Sequence, residues 1–363
     1  MKSVAILASI ASAGTAVRRV DPIYDIGYYV VQNVTDVPDP GYDPAKDPDL
    51  LPDAPSFEIE SAPFEAEAGG CNGYVRYCNK RLSQVLWIGA HNSLSDVGLA
   101  VQRNQFVDGP SLLNAGVRYF DIDTCAYVKN DKRIAPQVCH GDVWWRTMLD
   151  QNPREVIPLN FGDINDFTAL NGSGEATATQ QLRDEIVATV RSVFGSMAVL
   201  RNDPWDKGIH QDTAKLQDLI DANRRVVVSV GKGTSSNGAY WGQSDRVCND
   251  EWYPTNLNLA SLTDYNWQPV EDYVNTHMRG PCAQAPQQLN KLEWEFHTAL
   301  GGTIDSSHVG TRLDSYMSAL KSANAATNGA PFYPFNLVLT DHSDKWSKFY
   351  PQWHDAHLSH LQD

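Results

Sequence analysis

A chain of 363 residues with a net charge of −15 has no basic stripe to neutralise a phosphate backbone, which excludes nucleic acid as a partner. Six cysteines without a CxxC spacing argue against structural zinc and for three disulfides in an exported protein. The length suits a single barrel with a tail as well as two average domains, so the architecture has to come from the pattern.

Taken in chain order, Met1-Lys2, the apolar run Val4 to Ala11 and the small residues through Ala16 have the layout of a secretory signal peptide over residues 1–16. The run is too short to span a bilayer, and no second long apolar stretch follows, so a soluble, secreted protein is expected. Residues 17–70 differ in kind. Between positions 20 and 70 stand twelve Asp or Glu against the single Lys46, with eight of the 20 prolines. That composition cannot bury enough apolar surface to offset ordering entropy and predicts a disordered acidic segment. Its charge allows little attraction to anionic membranes. Asn33-Val-Thr35 and Asn171-Gly-Ser173 are glycosylation acceptors consistent with export.

From Cys71 onward, short runs rich in β-branched residues alternate with helical or loop-like stretches, the signature of repeated βα units in one domain over 71–363. Strands are predicted at Val85 to Ala90, Val117 to Asp123, Pro136 to His140, Val156 to Gly162, Val226 to Val230 and Leu337 to Asp341. Helices are predicted at Thr177 to Phe194 and Thr213 to Ala222. Between Gly231 and Pro334 the period is unclear, and long loops with two unplaced strands are expected. The disulfides are expected between neighbours: Cys71 with Cys78, Cys125 with Cys139, and Cys248 with Cys282.

Polar residues fall at the strand ends: His91-Asn92 after the first, Asp121 and Asp123 in the second, His140 at the third, Asp341 at the last. In a parallel barrel these ends share one face, so the groups converge although they are far apart in sequence. Asp121 and Asp123 point to the same side of their strand. Two adjacent carboxylates repel unless a cation lies between them, and Asn92 adds a neutral oxygen of the kind that calcium and magnesium sites use. Two histidines suit general acid and base work near neutral pH.

The blocks CNGYVRYCNKRLSQVLWIGAHNS, NQFVDGPSLLNAGVRYFDID, VCHGD, NPREVIPLNFGD and NLVLTDHSD resemble, in order, those of the phosphatidylinositol-specific phospholipase C X-domain family, with a cysteine-flanked opening like that of secreted fungal-type members. The resemblance implies an α/β fold, a distorted (β/α)8 TIM-type barrel. It implies that His91 is the general base acting on the inositol 2-hydroxyl, that His140 is the general acid protonating the departing glycerol oxygen, and that Asp341 orients His91. The products would be diacylglycerol and a cyclic inositol phosphate. Metal-independent members carry arginine where this chain has Asp123, so a divalent metal is implied, Ca2+ or alternatively Mg2+, held by Asn92, Asp121 and Asp123. The family's fourth ligand, a glutamate, falls on Gly162, with Asp163 or Asn160 nearby. The expected partner is a phospholipid or other phosphodiester, met by a monomer in transient contact with a membrane surface.

Two other readings use the same residues: a glycerophosphodiester or sphingomyelin-type phosphodiesterase on the same barrel, and a secreted binding or effector protein that has lost turnover, for which Gly162 is the hint. Gly231-Lys-Gly233 is a poor nucleotide loop because Ser236 replaces the third glycine. His354, His357 and His360 read as a solvated helix face rather than a zinc site. Trp144-Trp145 suits either lipid contact or core packing.

Overall fold

The computed structural model describes residues 64–94, 104–105, 107–129, 131–138, 149–170, 176–231, 240–248, 254–256, 282, 287–297 and 335–361. The signal-peptide stretch, both glycosylation acceptors, Trp144-Trp145, Cys139, His140 and the loop after Gly231 lie outside them.

Among the described residues ten strands form in chain order: β1 (Trp87–Ala90), β2 (Tyr119–Lys129), β3 (Lys132–Val138), β4 (Ile157–Leu170), β5 (Ala176–Thr177), β6 (Ala198–Val199), β7 (Val226–Val230), β8 (Pro254–Asn256), β9 (Lys291–His297) and β10 (Leu337–Thr340). Eight of them make one row, β6-β7-β4-β2-β1-β10-β9-β8, and every neighbouring pair in that row is parallel. The α/β class expected from the sequence is therefore present. The pairing of β6 with β8 that would close a barrel is not found among the described residues. β8 and β9 are the two strands that the sequence required but did not locate.

Parallel strands covered on both faces should be apolar throughout, and β1, β7 and β10 are buried at every position. Packing at the centre is tight enough to demand a glycine: a β-carbon on Gly89 of β1 would lie 2.7 Å from Leu339 Cδ1 of β10. The helices that matter below are α1 (Gly109–Asn114), α2 (Gln180–Phe194), α3 (Asp206–His210), α4 (Leu216–Asp221), α5 (Gln243–Arg246) and α6 (Tyr350–His360). α2 buries Leu182, Ile186, Val190 and Phe194, the i, i+4 stripe that its sequence advertises.

The structure corrects four expectations. The run ending at His140 is not a barrel strand: β3 is antiparallel to β2, with Thr124 opposite Val138. A β-hairpin therefore returns the chain to the level of Thr124 at Val138. Residues 64–70 belong to the fold, because Phe64 lies tilted against Tyr74, ring centroids 5.8 Å apart, and under the Arg118 guanidinium at 5.1 Å. Aromatic burial there outweighs the acidic composition. The disulfides Cys71–Cys78 and Cys248–Cys282 form, but Cys125 is a free, buried thiol, with Gln137 opposite it in the hairpin register. Finally, His354 and His357 on α6 are buried rather than solvated.

Candidate active site

The register of the sheet builds the site in layers. Ala90 of β1 is level with Phe120 of β2 and Thr340 of β10. The next residue on each strand, His91, Asp121 and Asp341, therefore forms one tier at the C-terminal edge. The tier continues through Asn160 of β4, level with Asp121, to Ser229 of β7. Ser229 Oγ donates to Asn160 Oδ1 at 2.8 Å, and Asn160 Nδ2 donates to Asp121 Oδ1 at 2.6 Å. Three adjacent strands thus hold a continuous chain of hydrogen bonds facing the same interior.

At the other side of this tier, His91 Nδ1 is 3.0 Å from Asp341 Oδ1, in a pair where the Asp341 side chain is fully buried. Asn104 Nδ2 donates to the same carboxylate oxygen at 2.9 Å and lies 3.2 Å from His91 Nδ1. Gln105 closes the arrangement: its Nε2 donates to the His91 and Thr340 carbonyls, and its Oε1 accepts the Ser343 amide. The ends of β1 and β10 are clamped together, so the imidazole and its carboxylate cannot drift apart. With Nδ1–H directed at Asp341, Nε2 presents its lone pair, the tautomer required of a base. Asp341 Oδ2 is buried and has no hydrogen-bond partner among the described residues. An acceptor left with spare capacity beside an imidazole can stabilise the cation that forms when that imidazole takes a proton.

Asn92 and His342, directly after the two strand ends, have left-handed backbones, with φ of 44° and 48°. Such conformations are uncommon outside glycine and gather at functional sites. The turn at Asn92 brings its carboxamide within hydrogen-bond reach of Asp123: with the nitrogen on that side it donates to the two carboxylate oxygens at 2.8 and 3.0 Å. A half-turn of the same amide would instead present its oxygen to that side, where a neutral carbonyl beside carboxylates suits a hard cation. Burial pushes the Asp121 carboxyl above its usual range, against the pull of His91, Lys291 and the Asn160 hydrogen bond. A nearby cation would offset the same desolvation. The oxygens of Asn92, Asp121 and Asp123 thus fit a hard divalent ion as a partial ligand set.

Among the described residues no group of three or more His, Cys, Asp or Glu forms a metal cluster. The missing carboxylate is explained at Gly162, which is level with Asp123. A β-carbon there would point at Asp121 Oδ1, 3.3 Å away. The position is placed to add a ligand and carries no side chain to supply one.

Of the residues singled out from the sequence, His91, Asn92, Asp121, Asp123 and Asp341 share this edge, and His140 lies outside the described residues. The sequence reading missed the roles of Asn104 and Gln105, although both stand in one of the quoted motifs. It also missed Lys291 and Glu293 of β9, buried and 2.6 Å apart. The alternation in Lys-Leu-Glu-Trp-Glu-Phe-His was the available signal.

Comparison with known proteins finds one family model, a curated relative and several solved structures similar to this chain. Residues 77–241 match the family model described as PI-PLC X 1. A curated relative from Arthroderma benhamiae, a PI-PLC X domain-containing protein 1, is 27% identical over 180 residues, 46% of this chain and 52% of its own length. The chain therefore aligns with about half of that relative. Among solved structures, the phosphatidylinositol-specific phospholipase C from Listeria monocytogenes is 11% identical, covering 79% of this chain and 96% of its own, with a TM-score of 0.49. A mutant of the corresponding Staphylococcus aureus protein is 15% identical, covering 74% and 93%, with a TM-score of 0.46. The family resemblance read from the motifs is borne out for residues 77–241, which match that family model and carry His91, Asn92, Asp121 and Asp123.

Proposed function

We propose that the protein is a secreted phosphodiesterase that cleaves phosphatidylinositol-type lipids to diacylglycerol and a cyclic inositol phosphate. The observation that carries this reading is the buried His91–Asp341 pair at 3.0 Å, set one residue from the contact between the Asn92 carboxamide and Asp123. His91 Nε2 takes the proton from the inositol 2-hydroxyl as that oxygen attacks phosphorus, and Asp341 holds the ring and steadies the imidazolium. His140, two residues after the end of β3 in the sequence, gives a proton to the departing glycerol oxygen. Asn92, Asp121 and Asp123 would hold a divalent cation, Ca2+ first, with Mg2+ as the alternative. When bound, such an ion supplies positive charge near the phosphoryl oxygens.

Turnover of phosphatidylinositol vesicles by the purified protein, with product analysis, tests the reading. His91→Ala should lower kcat by about 10²- to 10⁴-fold, and a chelator or Asp123→Ala should also abolish most of the activity. Activity that resists chelation would remove the metal and leave the histidines. An acyclic product would move the assignment to a glycerophosphodiesterase-type reaction. A wild-type protein inert on every phosphodiester would favour the binding reading, for which Gly162 is the specific observation.

A further inference from the structure

Gly162 carries no side chain, and the structure shows what one would disturb. Asn160 and Gly162 are two positions apart on β4, so they share the interior face of the strand. A β-carbon on Gly162 would lie 3.3 Å from Asp121 Oδ1 and 3.4 Å from Asn160 Nδ2. Those are the two atoms of the 2.6 Å hydrogen bond that joins β4 to β2 at this level. Any larger residue at 162 would press on that bond as well as fill the space beside Asp121. The bare position and the hydrogen bond are therefore one feature of the site.

The bond has a fixed sense. An ionised carboxylate only accepts, so Asn160 must turn Nδ2 toward Asp121 and Oδ1 away from it. Oδ1 then faces Ser229 Oγ of β7, which donates to it at 2.8 Å. Asn160 is fully buried and Ser229 nearly so, which keeps water from competing for either partner and strengthens both bonds. The Asn160 amide gives the single hydrogen bond to the Asp121 carboxylate found among the described residues. It occupies Oδ1 and leaves Oδ2 to another ligand.

From this arrangement we infer that Asn160, supported by Ser229, is a positioning residue that sets the Asp121 carboxylate for a divalent cation in place of the ligand that position 162 does not supply. The inference rests on the cation of the proposed function. Its physical content is order: a carboxylate already fixed by folding gives up no rotamer freedom when an ion arrives. A fourth carboxylate would add charge, and this chain has a pre-set third ligand instead.

Calorimetric titration of the full chain with Ca2+ alone, without substrate, tests the assignment. The component of binding that Asp123→Ala removes defines the site. Asn160→Ala should weaken that component about 10- to 100-fold, the usual effect of losing the partner of a metal ligand. Ser229→Ala should weaken it about 2- to 10-fold, and Ser229→Thr, which keeps the hydroxyl, should restore it. Gly162→Ala adds no ligand but crowds the bond. It should weaken binding about 2- to 10-fold in the wild type and leave it unchanged in an Asn160→Ala background.

Equal melting temperatures in calcium-free buffer separate positioning from loss of fold, and if Asn160→Ala melts early, the Ser229 pair carries the test. Wild-type affinity in Asn160→Ala or, failing that variant, in Ser229→Ala overturns the inference and leaves the proposed function standing. Additive effects of Gly162→Ala and Asn160→Ala overturn it as well. A wild type with no calcium component sensitive to Asp123→Ala sinks both this inference and the cation of the proposed function, while the histidine chemistry stays with the turnover assay.

Discussion

Two buried histidines at different places in the molecule have been given different chemistry. His91 stands at the edge of the sheet with Nδ1 against the Asp341 carboxylate. His354, on α6, has Nδ1 against the Tyr77 hydroxyl at 2.8 Å, and its ring lies tilted against Tyr74, with centroids 4.5 Å apart. Burial, then the nearby His357 and Arg118, hold the His354 imidazole well below its usual protonation range. One ring faces a carboxylate, while the other is packed among aromatic rings beside a second imidazole and a guanidinium. The difference lies in the partner rather than the depth, since both residues are less than a tenth exposed.

The sharpest way to break this comparison is to take the charge from the first partner. Asp341→Asn keeps the size of the side chain but lets its amide donate to Nδ1, which turns the His91 proton to the wrong nitrogen. We expect kcat on phosphatidylinositol to fall by about 10²- to 10⁴-fold with little change in KM. A loss below threefold would mean that His91 does not act as a base. Asn104→Leu is a milder test, because it removes the amide donor to Asp341 and the contact to His91 and leaves the charge. A fall in kcat of about 3- to 10-fold is expected. No change would show that Gln105 alone positions the strand ends.

How much of this was legible in the sequence depends on whether a residue's partners are local. β1, β7 and β10 were readable because a strand buried on both faces is an unbroken apolar run, and α2 because its stripe repeats at the helical period. The tier of His91, Asp121 and Asp341 was readable because parallel strands end on one face. Asn104 was not, since its function depends on reaching a carboxylate 237 positions away. β3 was misread for a related reason: an apolar run does not state its direction, and only the pairing with β2 shows that it is the return arm of a hairpin. On α6, spacing in threes suggested a solvated face, but Tyr74 and Tyr77 from the Cys71–Cys78 loop cover it. Their burial of His354 could not be seen from the helix alone.

The second histidine yields the smallest effect. His354 has a folded-state pKa below its ordinary 6.5, so below that pH the unfolded chain binds a proton that the folded chain refuses. Stability contributed by the neutral ring is thus complete above about pH 6.5 and is lost as the pH falls toward the depressed value. The slope for one proton is at most about 1.4 kcal/mol per pH unit. His354→Asn can keep a polar atom near the Tyr77 hydroxyl and does not titrate. Denaturant melts between pH 7.5 and 5 should therefore show wild-type stability falling more steeply than that of the variant, with the gap opening below 6.5. Parallel curves would mean that the ring is protonated in the fold, and the contrast with His91 would then be one of position rather than of chemistry.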